Sequence, residues 1–564
     1  MKTIFGSLVL ITACLLAAPS WSAGQSGYYP NSIEEVLKLD DDQIDLAASV
    51  LLVSKRWDNR IDIDSYLDKI DDIAAQVRKL APSSSNPRRT VEAINKVLFT
   101  ELGFKPVDNA DNPDDLFLNT VIDNKRGYCL SLSVLYLSVG ERLNLPLYGV
   151  VAPGHFFVRY QGKGNSFNIE TTQNGVSPPD KHYMSEFKIP DNTGVYLRSL
   201  TKKETIGCFF NNLANSYYNR GQIENAFYYQ RLSVALNPAL AEARTNLGNI
   251  YLRKNMTDLA IEQYEIALKI NSTEGKTYHN LANAYRKKGL LDTAIKNYNI
   301  ALELDPNYAE IYKGLADAYN AKGLTEKAIA MLKKAADVNA HDVDIYISLA
   351  GIYQDNGQLD EAVSNYRHAL IIKTNSVEAA SGLGYVYLQK EMYNEAVEQF
   401  RTAVYYGPFN ARAHLGLGLV YNKLGRTDEE IQSYENAVKS DPNMFAAYHN
   451  LANAYMNRKL YDLAIENYQA AVKFDPKNAD LYFNLGVAYS DLKKYEEAKE
   501  YYLKTIELRW NYSAAHNNLA ITLYMLNRYQ QALNHAKIAQ QQGFKVDENF
   551  LNQLNKIVKE NYTP

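Results

Sequence analysis

Cysteine is scarce in this chain, whose 564 residues include only Cys14, Cys129 and Cys208. Cys129 lies in the segment KRGYCLSLS, just after a glycine and just before an apolar run, and His155 and Glu170 follow it along the chain. A cysteine, a histidine and a carboxylate in this order are suited to act as a nucleophile, its base and the group that orients the base. The sequence therefore predicts a catalytic site of these three residues, whereas Cys208 is interpreted as structural.

A helix must position the cysteine. The segment from Leu130 to Leu143 is apolar nearly all round, which predicts a buried helix with Cys129 at its start. The N-terminus of a helix carries partial positive charge, which stabilises a thiolate, and the preceding Lys125 and Arg126 add to that charge.

A hairpin must position the other two residues. The segments YGVVAPGHFFVRY and SFNIETT are predicted strands on either side of QGKGN. With a turn centred on Gly162-Lys163, glycine at the first central position suits a type II′ turn. Paired residue numbers then sum to 325, and His155 lies opposite Glu170, with Cβ atoms roughly 4.5–5.5 Å apart. A slip of one residue would place the two side chains on opposite faces.

This part of the chain is similar to a known family. The block FLNTVIDNKRGYCLSLSVLYLSVGERLNLPLYGV, the strand PGHFFVRY and the acidic strand after it resemble the transglutaminase-like superfamily, specifically its SirB-type branch. The likeness covers about residues 40 to 236. It implies a papain-like α+β fold and a triad of cysteine, histidine and aspartate, which maps by motif onto Cys129, His155 and Glu170. The third residue departs from the family pattern because it is glutamate.

The second half of the chain repeats with a period of 34 residues. The phrases NLGNIY, NLANAY and NLGVAY share a leucine that is followed four residues later by tyrosine and in most units thirteen residues later by alanine. This pattern resembles the tetratricopeptide repeat (TPR), in ten copies. Each copy is expected to be two antiparallel helices, which must stack because one pair cannot bury its apolar face alone. Glu430 replaces the expected alanine in one unit, and Trp510 replaces the expected closing proline in another.

Asparagines recur in the first helix of many units. In the tetratricopeptide family this helix lines a concave face, and the position before the repeat leucine faces that groove. The first set of asparagines occupies that position and the second set lies three residues later: Asn212, Asn246, Asn280, Asn450, Asn484 and Asn518, then Asn215, Asn249, Asn283 and Asn453. Because an amide both donates and accepts hydrogen bonds, we hypothesise that the groove binds an extended polypeptide with little sequence preference. The alternative is that these are solvated helix positions or inherited consensus.

The first residues are typical of an export signal. Lys2 gives a positive start, Ile4 to Ala18 is an apolar core, and small residues precede Ala23. The apolar stretch is short for a membrane-spanning helix. A third interpretation is a lipoprotein signal, in which Cys14 would be acylated, although the apolar run continues beyond it. The localisation expected is periplasmic or extracellular, with a lipid anchor as the alternative to secretion.

The composition of the chain argues against several classes of function. Hydrophobic residues make up 46% and charged residues 22%, as in an ordinary globular protein, and no second segment is apolar enough to span a membrane. A net charge of −4 argues against a nucleic-acid partner. No CxxC or HExxH motif is present, so no metal and no cofactor are expected.

The predicted fold class is an α+β papain/transglutaminase-like domain followed by an all-α TPR superhelical solenoid. The predicted layout is a signal peptide at 1–23, the transglutaminase-like domain at 30–203, ten repeats at 204–546 and a capping helix at 547–564. Two functions fit this layout. One is an exported cysteine acyl-transfer enzyme, either a protease or amidase or a cross-linker, whose repeats bind a protein partner or substrate. The other is a non-catalytic scaffold or assembly protein with a structural transglutaminase-like domain.

Overall fold

The computed structural model describes residues 32–82, 86–107, 113–189 and 194–562. The predicted fold class is confirmed, since an α+β region is followed by a long run of antiparallel helices that forms a solenoid. The chain divides into two compact units, the first ending at Pro306 and the second beginning at Asn307. The predicted signal peptide, residues 1–23, and its Cys14 lie outside the described residues.

Seven helices belong to the α+β region as the structure describes it. They are α1 (Ile33–Val36), α2 (Leu46–Trp57), α3 (Ile63–Leu80), α4 (Pro87–Asn95), α5 (Leu118–Asn124), α6 (Cys129–Arg142) and α7 (Asp180–Glu186). The predicted helix with Cys129 at its start is confirmed as α6, which is buried along almost its whole length. Helix α2 begins where the Asp45 carboxylate accepts a hydrogen bond from the Ala48 amide at 2.8 Å.

Two small sheets complete this region. The strands are β1 (Lys105–Pro106), β2 (Arg126–Gly127), β3 (Leu147–Ala152), β4 (His155–Gly162), β5 (Asn165–Ile169) and β6 (Ser199–Leu200). The first two pair in parallel, and the other four form a sheet in the order β5-β4-β3-β6. Helix α6 packs against this sheet, and Gly140 permits the approach because a Cβ there would lie 2.3 Å from the Leu147 side chain.

The predicted hairpin register is wrong by two residues. The structure pairs Gly162 with Asn165 and Val158 with Ile169, so paired numbers sum to 327. The turn is Lys163-Gly164 because the residue that adopts a positive φ, of +73°, is Gly164. A shift of two residues keeps every side chain on its predicted face. The pairing ends at Val158 and Ile169, so His155 and Glu170 are not a directly opposed pair.

The rest of the first unit consists of three helix pairs. These helices are α8 (Lys202–Asn219), α9 (Ile223–Leu236), α10 (Ala241–Arg253), α11 (Thr257–Ile270), α12 (Gly275–Lys287) and α13 (Leu291–Leu304). Helix α8 begins with a capping box in which Thr201 and Glu204 exchange hydrogen bonds. Its Phe209 and Phe210 share one apolar core with residues of α6, so the first pair packs directly onto the α+β region. Lys202 of α8 also forms an ion pair with Glu141 of α6.

The second unit contains seven further helix pairs and one last helix among its described residues. They are α14 (Ala309–Ala321), α15 (Thr325–Val338), α16 (Val343–Asp355), α17 (Leu359–Ile372), α18 (Val377–Gln389), α19 (Tyr393–Tyr406), α20 (Ala411–Lys423), α21 (Thr427–Ser440), α22 (Phe445–Asn457), α23 (Tyr461–Phe474), α24 (Ala479–Asp491), α25 (Tyr495–Leu508), α26 (Ser513–Met525), α27 (Tyr529–Gln541) and α28 (Glu548–Tyr562). Helix α28 begins where Asp547 accepts a hydrogen bond from the Phe550 amide. Its Leu554 is buried in a core shared with α26 and α27.

Glycine and alanine in the first helix of a pair make room for tyrosine in the second helix. A Cβ on Gly248 would lie 2.5 Å from the Tyr264 ring, and one on Gly486 would lie 2.6 Å from the Tyr502 ring. The small residues at these repeat positions therefore allow the two helices of a pair to pack closely. Across the described part of the chain, no helix combines the length and apolar character needed to cross a membrane.

Candidate active site

Cys129 is held at the first turn of α6 by contacts of its neighbours. The Tyr128 amide donates to Ser131 Oγ at 2.8 Å, and Ser131 Oγ donates to the Asp115 carbonyl at 2.9 Å. A Cβ on Gly127 would lie 2.7 Å from Ser131 Oγ, so glycine is required for this close packing. The Cys129 side chain remains partly exposed. The backbone beside Cys129 is thus held by hydrogen bonds, and the residue itself is half-buried.

The positive charge expected beside Cys129 is partly neutralised. Arg126 Nε lies 3.0 Å from Asp115 Oδ1 in an ion pair. Lys125 ends α5 in the left-handed region, with φ of 54°. The N-terminus of α6 carries partial positive charge beside Cys129.

His155 and Glu170 are joined by a hydrogen bond. His155 Nε2 lies 2.7 Å from Glu170 Oε2. His155 begins β4, while Glu170 follows the end of β5 and caps a short 3₁₀ turn at Thr171–Gln173. The two side chains meet because they share a face beyond the end of the strand ladder. The predicted proximity thus holds, although the register from which it was derived does not.

Other side chains fix the Glu170 carboxylate. Thr172 Oγ1 donates to Glu170 Oε1 at 2.6 Å and the Thr172 amide does so at 3.1 Å. Tyr183 of α7 donates its hydroxyl to Oε2 at 3.1 Å. Phe187 stacks on the His155 ring with centroids 5.4 Å apart. The carboxylate is 3% exposed, so its hydrogen bonds and those of the imidazole are shielded from water.

Burial and hydrogen bonding together determine the pKa values of His155 and Glu170. Burial alone would lower the pKa of His155, but hydrogen bonds and charge interactions with Cys129 and Glu170 raise it to about 10. Burial alone would raise the pKa of Glu170, yet the bonds from His155 and Thr172 hold it below its usual value. At neutral pH the site therefore contains a protonated imidazole beside an ionised carboxylate.

Cys129 and His155 share a pocket of about 130 Å³. His155 Nε2 faces Glu170, and interaction with Cys129 is among the causes of the raised pKa of His155. Thr171 Oγ1 donates to the Cys129 carbonyl at 3.4 Å, which ties the Glu170 turn to the start of α6. Cys129 and His155 thus line one cavity, and Glu170, which does not line it, is hydrogen-bonded to His155.

The opposite wall of this pocket comes from the first repeats. Helix α8 contributes Cys208, Asn211 and Asn212, and the start of α10 contributes Leu240 and Glu242. Cys208 is a free, buried thiol, and burial, with a smaller contribution from nearby carboxylates, raises its pKa to about 12. It therefore stays protonated at neutral pH, as its interpretation as a structural residue requires.

The asparagines of the repeats are partly engaged with one another. Asn246 Nδ2 donates to Asn211 Oδ1 at 3.0 Å, and Asn280 Nδ2 donates to Asn249 Oδ1 at 3.0 Å. The second set also accepts bonds from tyrosine hydroxyls, which come from the second helix of the same pair: Tyr264 to Asn249, Tyr298 to Asn283 and Tyr468 to Asn453. Asn215 is exposed, whereas the other nine predicted groove asparagines are half-buried: Asn212, Asn246, Asn249, Asn280, Asn283, Asn450, Asn453, Asn484 and Asn518. Much of the second set is thus used to hold helix pairs together.

Two kinds of family model match the chain. Residues 64–184, which contain all three site residues, match the model described as the transglutaminase-like superfamily. Models of the tetratricopeptide repeat match segments from residue 241 to residue 534. The chain carries a transglutaminase-like domain followed by tetratricopeptide repeats. The resemblance inferred from the sequence is confirmed.

Relatives of the transglutaminase-like domain are known by name. A UPF0162 protein of Xylella fastidiosa is 30% identical over 122 residues, which is 22% of this chain and 43% of that protein. F-box only protein 21 of Mus musculus is 36% identical over 74 residues, which is 13% of this chain and 12% of that protein. The chain spans less than half the length of these curated relatives. Among solved structures, YrrB, described as a TPR protein with an unusual peptide-binding site, is 29% identical, with 33% of this chain and 95% of YrrB covered and a TM-score of 0.30.

Several residues of the site were not predicted from the sequence. Thr172 and Tyr183 support Glu170, but a threonine after a strand and a tyrosine in a short helix carry no distinctive signal. Glu242 reaches the pocket because α8 packs against α6 and α10 packs against α8. A search for acidic residues at the starts of the early repeat helices would have identified Glu242 as a candidate without singling it out.

Proposed function

We propose that this protein is a cysteine-dependent acyl-transfer enzyme whose substrate polypeptide is bound by the repeats. The observation that carries the proposal is the placement of His155, which hydrogen-bonds Glu170 at 2.7 Å and lines the same pocket as Cys129. A buried ion pair is costly unless it is well satisfied, and Glu170 accepts further bonds from Thr172 and Tyr183. These hydrogen bonds would hold the His155 imidazole in one orientation, as a catalytic base requires.

The chemistry follows in two steps. The Cys129 thiolate attacks an amide or ester carbonyl, a carbon–sulfur bond forms, and the carbon–nitrogen or carbon–oxygen bond breaks as the His155 imidazolium gives its proton to the leaving group. An acceptor then attacks the thioester and loses its proton to His155, and the carbon–sulfur bond breaks. Water as acceptor gives hydrolysis, and a primary amine gives transfer. Glu170 stabilises the imidazolium in the first step and orients the ring in the second.

The repeats supply the binding surface in this proposal. Tetratricopeptide repeat proteins generally bind protein partners. Asn212, the first of the groove asparagines, lines the same pocket as Cys129. A polypeptide held along the first repeats would therefore reach the thiol without crossing bulk solvent. Export and removal of residues 1–23 remain part of the proposal, and intact-mass analysis of the native protein would reveal an unprocessed Met1 or an acylated Cys14 if either is present.

Labelling with an acyl probe tests the catalytic part of the proposal. The full-length mature chain is incubated with an acyloxymethyl ketone, and the modified residue is identified by peptide mass. We expect stoichiometric labelling of Cys129 in wild type and in Cys208→Ala, and loss of labelling in Cys129→Ala and in His155→Ala. Circular dichroism serves as the control for folding. Labelling at no faster a rate than in His155→Ala would contradict the enzyme and favour the alternative, a scaffold with a structural transglutaminase-like domain.

A further inference from the structure

Four exposed apolar side chains lie at the ends of two neighbouring helices of the second unit. Ile371 of α17, Tyr405 of α19 and Phe409 in the turn before α20 are between 76% and 82% exposed, and Tyr406 is exposed beside them. The rings of Tyr405 and Tyr406 contact each other with centroids 5.0 Å apart. Large apolar side chains exposed together in this way mark a contact surface.

Comparison of the repeats shows that these side chains depart from the repeat pattern. Ile371 and Tyr405 are the penultimate residues of α17 and α19, the second helices of their pairs. The equivalent residue is charged in six other pairs: Lys269, Glu303, Asp337, Lys439, Lys473 and Glu507. Phe409 occupies a turn position that holds asparagine one repeat earlier and one repeat later, at Asn375 and Asn443. Packing within a repeat therefore does not require the apolar side chains, and a contact outside the repeat accounts for them better.

Charges of opposite sign flank the apolar side chains. Equivalent positions of successive repeats follow one another along one edge of a solenoid. At the penultimate position of α15, α17, α19 and α21 this edge row, as we call it, reads Asp337, Ile371, Tyr405 and Lys439. Asp337 and Lys439 are both exposed, and neither forms an ion pair within the described part of the chain. The edge row thus runs from acidic through apolar to basic.

The edge row is complementary to its own reverse. In a dimer with two-fold symmetry, a contact between two different residues occurs twice. If the axis passes between Ile371 and Tyr405, Ile371 of one copy lies against Tyr405 of the other. Asp337 of each copy then lies opposite Lys439 of the other, which places two ion pairs around an apolar centre. A parallel arrangement of the two rows would instead oppose Asp337 to Asp337 and Lys439 to Lys439.

An open groove beside Ile371 offers space for the rings of a second copy. The groove measures about 560 Å³ and is lined by Leu370, Ile371 and Thr374 together with side chains of α18 and α19. With Ile371 against Tyr405, the Phe409 ring of the second copy is brought towards this groove, because it follows Tyr405 in the adjoining turn. Each copy thus offers one groove and one set of projecting rings, as a closed two-fold contact requires.

We propose that the edge row of the second unit binds a second copy of the chain in an antiparallel dimer with two-fold symmetry. The charges favour this occupant over others. Asp337 would be repelled by a membrane surface rich in anionic lipid, and a partner of a single charge would match only one end of the edge row. The proposal does not depend on acyl transfer, since the residues of the edge row all belong to the second unit.

Exchange of charge between two variants tests the two-fold arrangement on the full-length chain. Sedimentation velocity at a series of protein concentrations gives the dissociation constant of the dimer for wild type, Asp337→Lys and Lys439→Asp. We expect wild type to dimerise and each variant alone to have a dissociation constant at least about tenfold higher, because two attractive pairs become repulsive. An equal mixture of the two variants should dimerise as tightly as wild type, since each variant then supplies the charge that the other lacks.

Glu326→Lys is the matched control for the change of charge. Glu326 is exposed and lies in the first turn of α15, at the opposite end of the helix from Asp337. Its replacement should leave the dissociation constant unchanged. Wild type that remains monomeric at every concentration, or a mixture that dimerises no more tightly than the separate variants, would overturn the proposal.

Tyr405→Lys tests the apolar centre with the residue that the next two repeats hold at the same position, Lys439 and Lys473. We expect it to abolish the dimer and to leave circular dichroism unchanged. Binding to vesicles of phosphatidylglycerol and phosphatidylethanolamine is measured alongside. If monomeric wild type binds the vesicles and Tyr405→Lys does not, the apolar side chains contact a membrane and the proposal is overturned.

Discussion

A hydrogen bond between residues fifteen positions apart occurs in both regions of this protein, with opposite meanings. In the transglutaminase-like domain it joins His155 to Glu170 at 2.7 Å. In the repeats it joins a tyrosine to an asparagine within one helix pair, as from Tyr264 to Asn249 at 2.7 Å. The tyrosine–asparagine bond recurs in other pairs and fastens one helix to the next. The histidine–glutamate bond occurs beside Cys129, which lines the same cavity as His155.

This difference shows how a polar contact is recognised as chemical or structural. A contact that recurs with the period of the repeat serves the repeat. A contact formed once, with one partner buried, the other half-buried and a third reactive group lining the same pocket, is a candidate for catalysis. Five predictions sharpen or break the comparison.

The largest effect is expected from Glu170→Gln. The amide keeps the shape of the side chain but removes the charge that stabilises the imidazolium of His155. Turnover should fall about 10²–10⁴-fold, the range of a general acid–base contribution, while circular dichroism stays unchanged. The matched control is Tyr264→Phe, which removes the corresponding fifteen-residue bond in a repeat. It should leave turnover unaltered and lower the free energy of unfolding by about 1 kcal/mol. Equal turnover in Glu170→Gln and wild type would remove His155 and Glu170 from the mechanism.

The second prediction concerns pH. Because the pKa of His155 is raised to about 10, the imidazolium persists at neutral pH and is lost as pH rises through that value. The acylation rate should therefore stay level to about pH 9, halve by about pH 10 and fall tenfold per pH unit above that value. In Glu170→Gln the fall should begin at lower pH, since the hydrogen bond to the carboxylate and its charge help to raise the pKa of His155.

The free energy of unfolding should also depend on the protonation of His155. The pKa of His155 in the folded protein, about 10, lies above its ordinary value of 6.5. Its contribution to the free energy of unfolding is therefore complete below pH 6.5 and is lost as pH rises through about 10. The stability difference between wild type and His155→Asn should shrink between pH 7 and pH 10.5 in urea titrations. A difference that grows with pH would contradict the protonated imidazole.

The sequence predicted the helix of Cys129, the shared face of His155 and Glu170 and the period of the repeats, because each follows from a local pattern. It placed the hairpin turn on the wrong glycine, since both Gly162 and Gly164 suit a turn and only packing decides between them. Gly162 lies in β4 against the Tyr160 ring, whereas Gly164 is open and takes the positive φ. The wall supplied by α8 and α10 depends on contacts between distant segments, which no local pattern reveals.

The fourth prediction separates binding from packing in the repeats. Replacing Asn246, Asn280 and Asn450 together by alanine should weaken binding of selected peptides, by about 0.5–1.5 kcal/mol for each lost hydrogen bond. The peptides are chosen on wild type from a library of mixed 12-residue sequences, and affinity is measured by fluorescence anisotropy. The control variant, Tyr264→Phe, removes a bond inside the helix pair and should leave affinity unchanged. Unchanged affinity in the triple variant would show that the asparagines of both sets pack the helices and do not bind the peptide.

The smallest effect concerns the repeat that departs from its pattern. Glu430 stands where alanine is expected and is 4% exposed, and its Oε1 accepts a hydrogen bond from Asn422 Nδ2 at 2.8 Å. Burial raises the pKa of this carboxyl, with the bond from Asn422 acting in the opposite direction. A raised pKa in the folded state means that ionisation of Glu430 destabilises the fold as pH rises.

Glu430→Gln should therefore stabilise the second unit near neutral pH. The amide keeps an acceptor for Asn422 and removes the buried charge, so the free energy of unfolding should rise by about 0.5–1 kcal/mol at pH 7. The gain should disappear near pH 4, where the wild-type carboxyl is protonated as well. Glu429→Gln on the same helix is the control, because Glu429 is solvent-exposed and pairs with Arg426, and it should give no gain at either pH. A gain of equal size at both values of pH would show that the charge of Glu430 is not what lowers the free energy of unfolding.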